Sequence, residues 1–289
     1  ALTLLEDHLR QRGEHRELRD LWLRAIRSPM CPPEVRVPRL RDVGRVSSDD
    51  LGDIDAAIEA WREVVETIPT DGEGLQRLGE LLERAGRWEE YADVLGQRAD
   101  LAADASDRRD VLERLAAVHR ERRDDPNAEA AVLAMLWDAS PDDDAVAARL
   151  ARARTDAGDL AGAAEVQRAR AERAKGAAAV ERWAGAGEAH EAAGQLAEAT
   201  AAWREVVARE PEHPDGWPSV ERLLAKSGQH QHLYATLVTR AEAMPEGSAR
   251  AAIHARAATA ARAMGDGAKA LAEAERAVKM APDDDSLAG

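Results

Sequence analysis

Regularly spaced turn residues restrict the fold of this chain more than any other feature. Glycines that interrupt helical patterns fall at Gly13, Gly52, Gly86, Gly158, Gly194, Gly228 and Gly265, and an eighth turn, without glycine, falls at Asp124-Asp125. Successive spacings are 39, 34, 38, 34, 36, 34 and 37 residues. A recurrence of this length marks an array of small stacked units, each unable to bury its apolar face alone. Every turn separates two apolar-periodic segments of about 12 to 17 residues, the length of a helical hairpin, so the chain is expected to form eight helix pairs. Two kinds of unit alternate. Gly13, Gly86, Gly158 and Gly228 step by 73, 72 and 70, while Gly52, Asp124, Gly194 and Gly265 step by 72, 70 and 71. The period is therefore a double hairpin of about 71 residues occurring four times. The expected modules of one array over 1–289 are roughly 1–72, 73–144, 145–214 and 215–285.

The second helix of the alternate units repeats in detail. After Gly52 the chain reads Ile54, Ala57, Trp61, Val64 and Pro69; after Gly194 it reads Leu196, Ala199, Trp203, Val206 and Pro211, at the same offsets. After Gly265 those offsets give Gly267, Ala270, Ala274, Ala277 and Pro282. Alanine lets two helix axes approach, the large residue fills the gap between hairpins, and proline ends the helix. This pattern resembles the tetratricopeptide repeat family, in the form of a large bacterial-type array. The resemblance implies an all-α fold: a right-handed α-solenoid of about eight antiparallel helix pairs.

Composition agrees. The apolar fraction is rich in alanine and leucine and contains no phenylalanine, which favours helix over strand. The net charge of -15 is uneven, with +3 in residues 1–46 and -18 in the remainder. Such an acidic chain repels phosphate backbones, so nucleic acid is not an expected direct ligand. Cys31 is the single cysteine, so neither an internal disulfide nor a thiolate cage can form. No apolar run reaches the roughly 20 residues that cross a bilayer. The compartment stays open, with the cytoplasm as default and targeting sequence allowed outside the segment. Both ends fall at one phase of the repeat and neither reads as a polar cap, so the chain is expected to be a segment of a longer array. Arginine over lysine and abundant alanine suggest a GC-rich bacterial source.

Two places depart from the pattern. The Pro-rich segment 28–38 holds Pro29, Pro32, Pro33 and Pro38 around Cys31 and runs through Val35-Arg36-Val37. A helix starting only near Pro38, after an extended stretch, is expected there. At Asp124-Asp125-Pro126-Asn127, Glu129 falls where the close-packing alanine should stand, between Ala128 and Ala130. A shift of one residue is expected in that unit.

No motif carries catalysis, and no cofactor or metal is expected. His190-Glu191-Ala192-Ala193-Gly194 lacks the second histidine of a zinc site. His230 and His232 diverge by about 200° on a helix. Gly72-Glu73-Gly74 and Gly185-Ala186-Gly187 lack the strand and spacing of a phosphate loop. The aspartates at 142–144 and 283–285 each open a helix, where carboxylates satisfy free N–H groups. Trp22, Trp61, Trp88, Trp183 and Trp203 read as core by their helical spacing, and Trp217, next to Pro218, is the one aromatic left open as a surface anchor.

The expected function is a protein–protein interaction scaffold or assembly module, taking a peptide or helical segment on its concave face; the alternative is a regulatory array of a larger signalling, transcription or secretion protein. In the resembling family the first helix of each pair lines the inner surface. Carried onto this chain, that places Arg39, Asp42, Gln76, Glu80, Glu83 and Arg84 on the face in the first half, with Arg114 and Arg122 following. Glu181, Glu188, Glu191, Arg222 and Lys226 complete it. The family's lysine-and-asparagine clamp on a terminal carboxylate is not expected, because Asn127, the single asparagine, lies at a turn. The acidic stretch at Glu181, Glu188 and Glu191 points to a partner of basic character.

Overall fold

The structure is a computed structural model and describes residues 2–27 and 31–281. Among them, sixteen α-helices and one π-helical turn follow one another without a strand. They fall into two compact units, Ala1–Ala153 and Arg154–Gly289. The first holds α1 (Leu2–Arg12), α2 (His15–Ile26), α3 (Pro33–Arg45), α4 (Ile54–Thr67), α5 (Gly72–Ala85), α6 (Trp88–Asp100), α7 (Ala105–Glu121), α8 (Pro126–Ala139) and most of α9 (Asp144–Asp156). The second holds α10 (Leu160–Arg173), α11 (Ala177–Ala192), α12 (Leu196–Arg209), α13 (Gly216–Lys226), α14 (His230–Glu242), α15 (Ser248–Ala263) and α16 (Gly267–Met280). Sixteen is the number of helices that the eight expected helix–turn–helix pairs require, and odd-numbered helices are the first of each pair in chain order.

The turns explain the glycines. Gly86 has φ +69°, its N–H donates to the carbonyl of Glu83 at 3.1 Å, and Arg87 N–H donates to Leu82 at 3.0 Å. These bonds satisfy carbonyls the helix end leaves free, in a left-handed geometry that glycine adopts without steric cost. Asp124 takes the same left-handed geometry at φ +49°, which aspartate tolerates better than most residues. Because Asp124 occupies the glycine position, the expected one-residue shift is absent. Pro126 opens α8 at the offset of Ile54, and Glu129 sits buried at that of Ala57. Asp125 caps the helix by accepting from Ala128 N–H at 3.0 Å.

The proline-rich segment also departs from expectation. Helix α3 begins at Pro33 and runs through Pro38. Pro38 removes one bond to the carbonyl of Glu34 near the helix start, at a cost of about 3 kcal/mol. Val37, Leu40 and Val43 are buried on one face of α3, and at about 1.5–3 kcal/mol each they outweigh that cost. A π-helical turn, Val46–Asp50, follows and closes with Leu51 N–H on Val46 O at 3.1 Å. Ser28, Pro29 and Met30 lie outside the described residues, as do Pro282, the aspartates at 283–285 and Leu287.

The core repeats one packing device. Trp61 of α4 is buried against Gly44 of α3, and Trp203 of α12 against Gly187 of α11. A Cβ at Gly44 would lie 2.4 Å from the Trp61 Nε1, and one at Gly187 would lie 2.6 Å from the Trp203 Nε1. Trp22 is buried with Leu9, Leu18 and Val43. Trp88 and Trp183 are only half-buried. Trp217 is not a free anchor: it packs against the cluster of Val220, Leu223 and Leu237, with the Arg240 guanidinium 5.2 Å from its ring centroid. No helix among the described residues is long and apolar enough to cross a membrane.

Candidate partner-binding face

Arginines join the odd-numbered helices of each unit to one another. In the first unit Arg39 of α3 reaches Glu6 of α1 at 2.7 Å, and Arg45, also on α3, reaches Glu73 of α5 at 2.6 Å. Arg114 of α7 lies 3.6 Å from Glu83 of α5, and Arg149 of α9 lies 2.6 Å from Glu113 of α7. In the second unit Arg222 of α13 grips Glu191 of α11 with two nitrogens, and Lys226 approaches the same carboxylate at 3.7 Å. Arg256 of α15 reaches the buried Glu221 of α13 at 2.6 Å. Guanidinium and carboxylate planes suit paired bonds of this kind. The Arg222 guanidinium, with Lys226 behind it, holds the Glu191 carboxyl below the ordinary carboxylate range. Glu73, against desolvation, raises Arg45.

This ladder sorts the residues the sequence places on the face. Arg39, Glu83, Arg114, Glu191, Arg222 and Lys226 are rungs, already engaged within the chain. Asp42 lies between Arg39 and Arg45, at 4.0 and 3.9 Å. Gln76 donates to Glu80 at 2.9 Å along α5. Arg122 follows the end of α7 and stacks over Trp88, 4.8 Å from its ring centroid. Three residues remain in solvent with no ion-pair partner among the described residues: Arg84 in the first unit, and Glu181 and Glu188 in the second. Glu80, Glu83 and Arg84 line a cleft of about 300 Å³ with Arg45, Asp49 and Trp61.

The rungs at Arg45, Arg149 and Arg256 escaped the sequence reading. Their signal is opposite charge at a separation of one hairpin: 28 residues for Arg45–Glu73, 36 for Arg149–Glu113 and 35 for Arg256–Glu221. The histidine of the incomplete zinc motif, His190, is buried, and its Nδ1 lies 2.7 Å from Gln195 Oε1. The aspartates at 142–144 serve α9: Asp143 accepts from Ala145 and Val146 N–H, each at 3.1 Å, and from Arg109 at 2.6 Å.

In helix pairing, left-handed turns and small-against-large packing, the chain is an array of tetratricopeptide-type helix pairs. No family model and no curated protein matches the sequence. Among solved structures the chain is similar to MamA, at 19% identity, covering 61% of this chain and 93% of that one, with a TM-score of 0.32. It is similar to YrrB, described as a TPR protein with an unusual peptide-binding site, at 13% identity, covering 63% and 90%, with a TM-score of 0.32. It is also similar to the TPR2AB domain of yeast Sti1, determined as a complex with pHSP90, at 18% identity, covering 87% and 93%, with a TM-score of 0.31.

Proposed function

We propose that the chain is a protein-interaction scaffold that takes a basic peptide or helical segment on the face of its odd-numbered helices. The observation that carries this reading is the pair Glu181 and Glu188. They stand two turns apart on α11, on one face, in solvent and unpaired, while their neighbour Glu191 is neutralised by Arg222 and Lys226. A rigid helix with two free carboxylates about 10 Å apart matches lysines or arginines two turns apart on an incoming helix, or three residues apart on a polyproline II segment, whose side chains return to one face every third residue. The binding helices supply charge at fixed spacing, and the partner supplies complementary charge.

Peptides selected from a random library against the intact chain test this. Lys/Arg-rich sequences are expected, with affinity at least about tenfold weaker for the double variant Glu181→Lys, Glu188→Lys. Enrichment of acidic or uncharged sequences, or unchanged affinity in the double variant, refutes the reading.

A further inference from the structure

The odd-numbered helices are not equally long. α7, α11 and α15 run for 17, 16 and 16 residues, against 14, 13 and 11 for α5, α9 and α13. The surplus lies at the start: α11 begins 17 residues before its turn at Gly194, and α13 only 12 before Gly228. The additional turn leaves a recess between the loop that enters the helix and the end of the helix that follows. At α7 the recess holds about 700 Å³, with Ala102, Ala103 and Met135 in its walls. At α11 it holds about 560 Å³, with Ala174, Ala177, Ala179 and Val180 on one side and Arg209 and Glu210, at the end of α12, on the other. Each of these two recesses has hairpins before and after it in the chain, so its opening is a property of the repeat.

The recess at α11 lies on the stripe of that helix which carries the free carboxylates. Residues 177, 181, 184 and 188 fall within about 60° of one another at 100° per residue, so Ala177 stands one turn, about 6 Å, before Glu181. Ala177 is exposed, Val180 half-buried and Ala179 buried, an apolar floor without charge. Arg209 lends the opposite wall its methylene stem, since its guanidinium bonds Glu205 and lies over Trp183, 5.6 Å from the ring centroid. At the mouth, Lys175 and Glu210 have no ion-pair partner among the described residues. Resting on the basic partner proposed above, we infer that this recess takes an uncharged apolar side chain of the same partner, one turn outside the basic residue that meets Glu181. Charge and surface both select it. A further basic residue there would face Lys175, whereas an aliphatic or aromatic side chain covers the alanine and valine surface. A helical partner is thereby held in register, its anchor four residues to one side of the basic residue that meets Glu181 and its second basic residue seven to the other.

A library of helical peptides with two lysines fixed two turns apart and every other position randomised, selected on the intact chain, tests the inference. Leu, Ile, Met or Phe should be enriched four residues outside one lysine, and replacing that anchor by alanine should weaken binding about tenfold. Ala177→Gln, which fills the recess without adding charge, should cut the preference for the anchor below about threefold. Lysine peptides that bind with no apolar preference at that position, or a preference unchanged by Ala177→Gln, overturn the inference and leave the acidic site standing. A sister library with glutamine in place of both lysines that binds equally well overturns the acidic site and the recess together. Circular dichroism shows whether Ala177→Gln is folded. Should it unfold, Ala174→Gln, in the loop on the same side of the recess, is measured in its place and judged by the same two outcomes.

Discussion

Two glycines of one helix, Gly185 and Gly187, show how differently a single residue type is used. Nothing lies within 4 Å of a Cβ placed at Gly185, whereas one at Gly187 meets the Trp203 indole at 2.6 Å. Gly185→Ala is therefore expected to stabilise the chain by about 0.5–1 kcal/mol through helix propensity. Gly187→Ala should destabilise it by about 1–3 kcal/mol through overpacking. Urea unfolding of both variants measures the contrast, and equal effects would remove the role given to the tryptophan. Asp124 offers the opposite case, a side chain in a left-handed turn, so Asp124→Gly should raise stability by up to about 1 kcal/mol in the same experiment. The turn glycines were legible in the sequence because their spacing recurs. Gly44 and Gly187 were not, because what a helical glycine touches belongs to another helix.

Individual helices were legible in existence and type, less so where they begin. Proline chemistry alone delays the start of α3 to Pro38, but the burial of Val37, Leu40 and Val43 wins over local propensity. The joints between helices also set a pH dependence. Burial pushes the His119 ring below its ordinary value of 6.5, and Arg123 adds to the effect. The folded chain thus holds His119 neutral while the unfolded chain takes up a proton near pH 6.5. Its contribution is complete above about pH 6.5 and declines as pH falls toward the lower folded value. Burial raises the Asp71 carboxyl, but the Gly74 N–H and Arg41 outweigh it, and the net shift is downward from 3.8. That contribution persists at neutral pH and is lost only as acid protonates the carboxylate below this value. The melting temperature should therefore fall between about pH 7 and pH 5, and more shallowly in His119→Gln. An identical slope in the variant would show that His119 does not couple to folding.

Across the whole molecule, stability is built from neighbours, since most helices within each unit pack on those adjacent in sequence. Trp203→Ala should cost roughly 3–5 kcal/mol, with faster amide exchange in α11, α12 and α13 but little change in α4 to α6. Exchange that rose evenly along the chain would show long-range cooperativity instead. The array and its helix count could be read from periodicity. The arginine ladder could not, because charges that pair across a hairpin look in sequence like any solvated helix face. That ladder also changes what the ionic strength of a buffer reports. A partner that displaces Arg222 from Glu191 replaces one ion pair with another, so salt weakens the lost and the gained contacts alike and the net slope is shallow. A partner that meets Glu181 and Glu188 gains contacts with nothing given up, and its affinity falls steeply with salt. The slope of affinity against salt thus distinguishes, before any complex is solved, a ligand that adds to the chain's own charges from one that trades places with them.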